Sequence, residues 1–135
     1  MSKQQEELVA DYIKFKTIKT DKEALEAVRQ NQHDLQYVSN QTEKICLEAV
    51  RQEGFALRFV DNQTEEICLE AVKQYGFALR YVHNQTEKIC LEAVKQDQYA
   101  LRYVNKHIID SIISNLSEAE MTTSRHKEIR ELADV

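Results

Sequence analysis

The chain has no proline, no tryptophan and only two glycines in 135 residues. That poverty in chain breakers argues against sheet-rich and loop-rich folds and favours helix. Cysteine is also scarce. The three present, Cys46, Cys68 and Cys90, are an odd number at one repeat position, which suits a reducing cytosol better than a disulfide framework. No stretch approaches the roughly 20 apolar residues of a membrane span. Residues 1–7 are polar and acidic, with no apolar run behind them to act as a secretory signal. Formal net charge is −5, an excess mild enough to aid solubility, and it argues against a general nucleic-acid binder. With 42% apolar and 30% charged residues, the chain as a whole falls outside the disordered class.

What the chain does have is repetition. Gln41-Thr42-Glu43-Lys44-Ile45-Cys46-Leu47-Glu48-Ala49-Val50 returns nearly unchanged at residues 63–72 and 85–94, and a worn copy occupies 19–28. A period of 22 residues marks a tandem array whose units cannot each bury an apolar face alone and must stack. The reading is an all-α fold: a small α-solenoid of four helix–turn–short-helix units (19–40, 41–62, 63–84, 85–106). A capping helix over 1–18, a second over 107–116 and a weakly helical tail over 117–135 flank it.

Each unit opens on a helix-start signal. Asn40 with Glu43 fits a capping box, Thr42 is the competing N-cap, and Asn62 with Glu65 and Asn84 with Glu87 repeat the pattern. Spaced 100° apart, Ile45, Cys46, Leu47, Ala49 and Val50 cover a little over half of the helix circumference, so burial against more than one neighbour is expected. Gly54 and Gly76 stand where a left-handed C′ cap would end that helix. The run Phe55-Ala56-Leu57-Arg58-Phe59-Val60 is too short for periodicity to separate strand from helix. Ala and Leu favour a short helix, and a strand-plus-helix unit is the alternative.

The ends differ from the middle. In the first copy Glu23-Ala24 replaces Ile-Cys and His33-Asp34 replaces Phe-Ala, as suits a terminal unit. Leu8, Val9, Tyr12, Ile13 and Phe15 mark an N-terminal helix able to cover part of that end. Ile108, Ile109, Ile112, Ile113 and Leu116 form one stripe that would close the other. Ser117 to Glu120 offers a fresh capping box, and Ile129, Leu132 and Val135 are the tail's sizeable apolar residues.

The order Leu-Glu-Ala-Val-Lys-Gln (91–96), a turn, then Ala-Leu-Arg-Tyr-Val (100–104) and a capped restart resembles a tandem-repeat family known as a domain of unknown function. That family occurs in bacteria and large DNA viruses. The resemblance covers roughly residues 20–104. It implies a helical array in an intracellular setting and brings no catalytic residues. Gln98 stands where the family has the turn glycine.

Three sets of residues are candidates for function. The cysteine row would have to converge on one ion to bind zinc, with bonds of about 2.3 Å. Equivalent positions in stacked units sit about 8–10 Å apart, so small apolar core residues are the expected role. Arg58, Arg80 and Arg102, with Gln36 in the first unit, are the lone polar residues of apolar segments. They would hold acidic or phosphate groups, or else pair with Glu48, Glu70 and Glu92. Third, near-identical units vary at Glu53, Tyr75 and Asp97 and at Asp61, His83 and Asn105, all at turns, where repeat scaffolds vary the residues that meet a partner.

No catalytic constellation is visible. His33, His83, His107 and His126 lack a metal-ligand spacing, no glycine-rich phosphate loop exists, and Glu65-Glu66 and Glu118/Glu120 suit helix N-termini. The functional expectation is a non-catalytic, cytoplasmic protein-interaction module without cofactor or metal. A phage- or virus-type inhibitor docking a host protein fits its size. The turn edge with Tyr75 and His83 is favoured as the contact surface, on the view that the glutamates occupy the arginines. Nucleic-acid or phosphate binding along the arginines is the second reading. A homodimer through the 107–116 helix or the tail is the third.

Overall fold

The computed structural model describes residues 1–114, with the side chains of 14–17 outside that description. Helix α1 (Lys3–Thr17) precedes four pairs, each an α-helix followed by a 3₁₀ helix. The pairs are α2 (Asp21–Gln30) with η1 (Gln32–Tyr37), α3 (Glu43–Gln52) with η2 (Gly54–Phe59), α4 (Glu65–Gln74) with η3 (Gly76–Tyr81), and α5 (Glu87–Gln96) with η4 (Gln98–Tyr103). Helix α6 (Lys106–Ser114) follows. No strand occurs among the described residues, which settles the short segment as helical. Successive α-helices pack side by side in one layer and successive 3₁₀ helices in another, so the chain is a two-layer helical solenoid.

Thr42, not Asn40, caps α3. Its Oγ1 accepts from Ile45 N at 3.3 Å, and Thr20, Thr64 and Thr86 do the same for their helices. Glu43 is the first helical residue and accepts from Thr64 Oγ1 of the next unit at 3.0 Å, rather than reaching back to Asn40. The five apolar residues assigned to the inner arc of α3 are all buried. In α4 and α5 the core row thins to Ile67, Cys68, Ala71 and Val72, then to Ile89, Cys90 and Ala93.

The 3₁₀ geometry sorts the short segment. With three residues per turn, positions three apart eclipse one another. Gly54, Leu57 and Val60 therefore share the buried row, while Phe55 and Arg58 lie on an outer row with the arginine exposed. Neither a period of 2 nor one of 3.6 would have produced that division.

The glycines are not left-handed caps, because no glycine has a positive φ. They permit close stacking instead. A Cβ on Gly54 would lie 2.6 Å from Ala71 O in the next unit's helix, and one on Gly76 would press equally into Ala93 O. Gln98 is exposed and forms a regular η4 all the same. Gly76→Ala should therefore destabilise the chain by about 1–3 kcal/mol through backbone overpacking, while Gln98→Ala stays within about 0.5 kcal/mol. Urea unfolding of the two variants checks this pair.

The ends are closed unequally. At the start, Tyr37 donates to Asp11 Oδ1 at 2.6 Å, a contact that pushes the Tyr37 hydroxyl up to about 12. Leu8, Val9, Tyr12 and Ile13 nevertheless remain exposed, so the expected apolar cover by α1 does not form from these four. At the far end Ile108 and Ile109 are buried in the common core, with Ile112 and Ile113 packed at its border. Leu91 stays 48% exposed there, whereas its counterpart Leu47 is buried. Leu116, the 117–120 capping signal and the apolar residues of the tail lie outside the described residues.

Candidate functional site

A glutamine at the start of each of the last three units organises the turn edge. Gln63 Nε2 donates to Tyr81 O at 2.8 Å and Leu57 O at 3.4 Å, and its Oε1 accepts from His83 N at 2.9 Å. Gln41 does the same with Phe59 O, Leu35 O and Asp61 N, and Gln85 with Tyr103 O and Asn105 N. Each side chain thus ties the turn entering its unit to the turn leaving it. The first unit has Lys19 at this position, which carries no acceptor to replace the amide oxygen. Sequence reasoning missed the role, although the strict recurrence of Gln41, Gln63 and Gln85 was its signal.

The thiols belong to the same network. Cys46, Cys68 and Cys90 are buried and free, and each Sγ donates to the glutamine Oε1 of its own unit at 3.5–3.6 Å. Burial pushes all three up from the ordinary 9.0 to about 11, with nearby carboxylates adding to the effect at Cys46 and Cys68. A thiol raised in the folded state contributes stability that is full below the unfolded pKa and is lost as pH climbs through the folded one. Stability should therefore fall between about pH 9 and 11, by about 2 kcal/mol per thiol. Urea midpoints measured across that window should fall less steeply for Cys68→Ala than for the wild type.

The arginines sit on the other layer. Arg58, Arg80 and Arg102 are exposed along the 3₁₀ face. The Arg58 guanidinium lies 4.5 Å from the centre of the Phe59 ring, and that of Arg80 lies 5.2 Å from Tyr81 and 5.7 Å from Tyr103. Their expected pairing with the glutamates does not form. Glu48 Oε1 lies 3.2 Å from Arg29 Nε and Glu70 Oε2 lies 3.8 Å from Arg51 Nε, both partners being at the end of the preceding long helix. The reason is placement: these glutamates belong to the α layer and the arginine row to the 3₁₀ layer. Among the described residues no carboxylate lies within ion-pair distance of Arg58, Arg80 or Arg102.

Rings reinforce this face. Phe55 stacks on Tyr75 at 5.2 Å and meets Tyr81 edge-on at 6.1 Å, while Phe77 meets Tyr103 edge-on at 5.5 Å. His33 meets Phe59 edge-on at 5.6 Å. Its Nδ1 lies 3.4 Å from Arg58 Nη2, and its Nε2 lies 3.5 Å from Glu53.

The variable turn positions divide into two groups instead of lining one edge. Glu53, Tyr75 and Asp97 follow the C-termini of α3, α4 and α5, whereas Asp61 and His83 precede the N-termini of α4 and α5 and Asn105 precedes α6. A ten-residue helix of about 15 Å separates the groups. Tyr75, on its stack, and Asp97, which caps η4 through Tyr99 N at 2.9 Å, border the arginine face. Glu53 is held there by Gln32 Nε2 at 2.6 Å. On the opposite edge Asp61 and His83 line an open groove of ≈ 390 Å³ between the N-terminal ends of α4 and α5, and Asp61 borders a second of ≈ 240 Å³ one unit earlier.

A family model for a domain of unknown function, DUF4116, matches residues 21–65, 42–86 and 64–109. The chain belongs to the DUF4116 family. No curated protein and no solved structure matches it. Each DUF4116 match spans two consecutive units. The second and third matches each hold one glycine together with the carbonyl that packs on it, Gly54 with Ala71 and Gly76 with Ala93. Among the described residues no helix is long and apolar enough to cross a membrane.

Proposed function

We propose that this DUF4116 protein is a non-catalytic interaction module of the cytoplasm that docks another protein on its 3₁₀ face. The observation that carries the reading is the row of exposed arginines, with Arg58 and Arg80 held against rings and all three unpaired with any carboxylate among the described residues. Guanidinium groups held in this way are preorganised for carboxylate recognition, and less freedom is lost when they bind. With Glu48 and Glu70 engaged elsewhere, the reason for preferring the turn edge falls away. A stacked array of solvated turns offers no convergent acid–base pair, which supports a binding role over a catalytic one. Three buried free thiols suit a reducing compartment. A small phage- or virus-encoded inhibitor of a host protein is the biological setting that fits these traits.

The test is capture from lysate of the native host, with mass spectrometry, using the wild type and three variants. Arg58→Glu/Arg80→Glu/Arg102→Glu should lose the captured protein entirely, since each swap turns attraction into repulsion. His83→Ala should retain it, whereas Tyr75→Ala, which removes a ring bordering that face, should weaken it. Retention by the triple variant together with loss by His83→Ala would place docking on the groove edge instead.

A further inference from the structure

We infer that the segment bound by the arginine face is an acidic polyproline II strand carrying a carboxylate at every third residue, an inference that rests on the docking reading above. The first support is spacing. Equivalent residues of stacked helices lie about 8–10 Å apart. The Arg80 guanidinium fits that scale, reaching both the ring of its own unit and that of the next. A polyproline II strand rises about 3.1 Å per residue with three residues per turn, so side chains at i, i+3 and i+6 share one face about 9 Å apart. A β-strand matches the distance over three residues but turns the third side chain to its opposite face.

The second support is the surface between the arginines. Tyr75 and Tyr99 are 47% and 51% exposed, and Phe55, Phe77, Tyr81 and Tyr103 are half-buried beside them. Rows of ring edges are what proline-rich strands pack against. The third is charge. Three cations without carboxylate partners among the described residues complement three acids, on a chain whose net charge of −5 opposes a long polyanion. Nucleic acid is the poorer fit for a further reason: bases need open ring faces. Arg58 occupies one face of Phe59 and Arg80 one face of Tyr81, and Phe55 and Tyr75 stack on each other, which leaves Tyr99 as the exposed ring of this face without such a neighbour among the described residues.

The test uses fluorescence anisotropy at low ionic strength with the full chain and three labelled probes. One peptide repeats Glu-Pro-Pro four times, a second has the same composition with its glutamates contiguous, and the third is a twelve-nucleotide thymidine strand. The spaced peptide should bind about tenfold more tightly than the clustered one. Arg58→Gln/Arg80→Gln/Arg102→Gln should weaken it about tenfold, as expected for three exposed ion pairs. Arg102→Gln alone, whose removal costs the fold no ion pair among the described residues, should weaken it about twofold. Equal binding of the two peptides, indifference to the Arg102→Gln variant, or tighter binding of the thymidine strand would overturn the inference. If the spaced peptide fails while the charge-swapped chain still loses its captured host protein, the strand chemistry is wrong and the docking face stands. If the charge-swapped chain keeps that protein, the docking reading itself falls.

Discussion

Gln63→Leu should lower the free energy of unfolding by about 3 kcal/mol. Leucine keeps the bulk of the side chain but removes both polar atoms. Tyr81 O, His83 N and Leu57 O then lose a partner in a half-buried turn where water replaces it poorly. Each such orphaned group costs about 1–3 kcal/mol, and partial exposure holds the sum near the lower bound. The Cys68 thiol loses its acceptor as well. Gln41→Leu and Gln85→Leu should behave alike, whereas Lys19→Leu should change stability by less than about 0.5 kcal/mol because no such network exists there to break. Urea denaturation monitored by circular dichroism measures all four.

Leu79→Ala should cost about 3–4 kcal/mol. Leu79 is fully buried in η3, in the inner row that the three-residue period of the 3₁₀ helix creates. Its removal leaves a cavity between the two layers, and leucine-to-alanine changes at such sites cost about 2–5 kcal/mol. The array form refines this expectation. Stability in a solenoid is a sum over units and their nearest-neighbour contacts. Leu101, the same position in the last unit, is 5% exposed and has one neighbouring unit where Leu79 has two. Leu101→Ala should accordingly cost less, about 2 kcal/mol. Equal losses at the two positions would mean that the 3₁₀ layer is not packed unit upon unit.

These two residues illustrate what could and could not be read along the chain. The inner arc of α3 follows from the 100° helical step, because every residue involved lies within one regular element. Leu79 was visible only as one member of a six-residue apolar run, since the period of 3 that buries it belongs to neither regular pattern. Gln63 was visible only as the first residue of the recurring string. Its four partners include a carbonyl 18 residues away, and such closure depends on how turns stack, not on local pattern. The glycines misled for the same reason: helix ends commonly carry a left-handed glycine, but here the constraint is a carbonyl from the next unit. Thr42 and Asn40 compete for the same capping role, and the fold chooses Thr42. Glu48, Glu70 and Glu92 were candidate partners for the arginine row, yet the two sets occupy different layers, and Glu48 and Glu70 find Arg29 and Arg51. The variable turns were located correctly in the chain, but their separation by the length of a helix became visible only in three dimensions.

The most direct measurement is amide hydrogen exchange on the full chain, free and saturated with the protein captured from its host. Docking on the 3₁₀ face should slow exchange within η2, η3 and η4 and along the flanking residues Glu53, Tyr75 and Asp97, with the N-terminal turns of α4 and α5 unchanged. Protection centred instead on Asp61 and His83, with η2 to η4 exchanging as in the free protein, would contradict the arginine face as the site of binding.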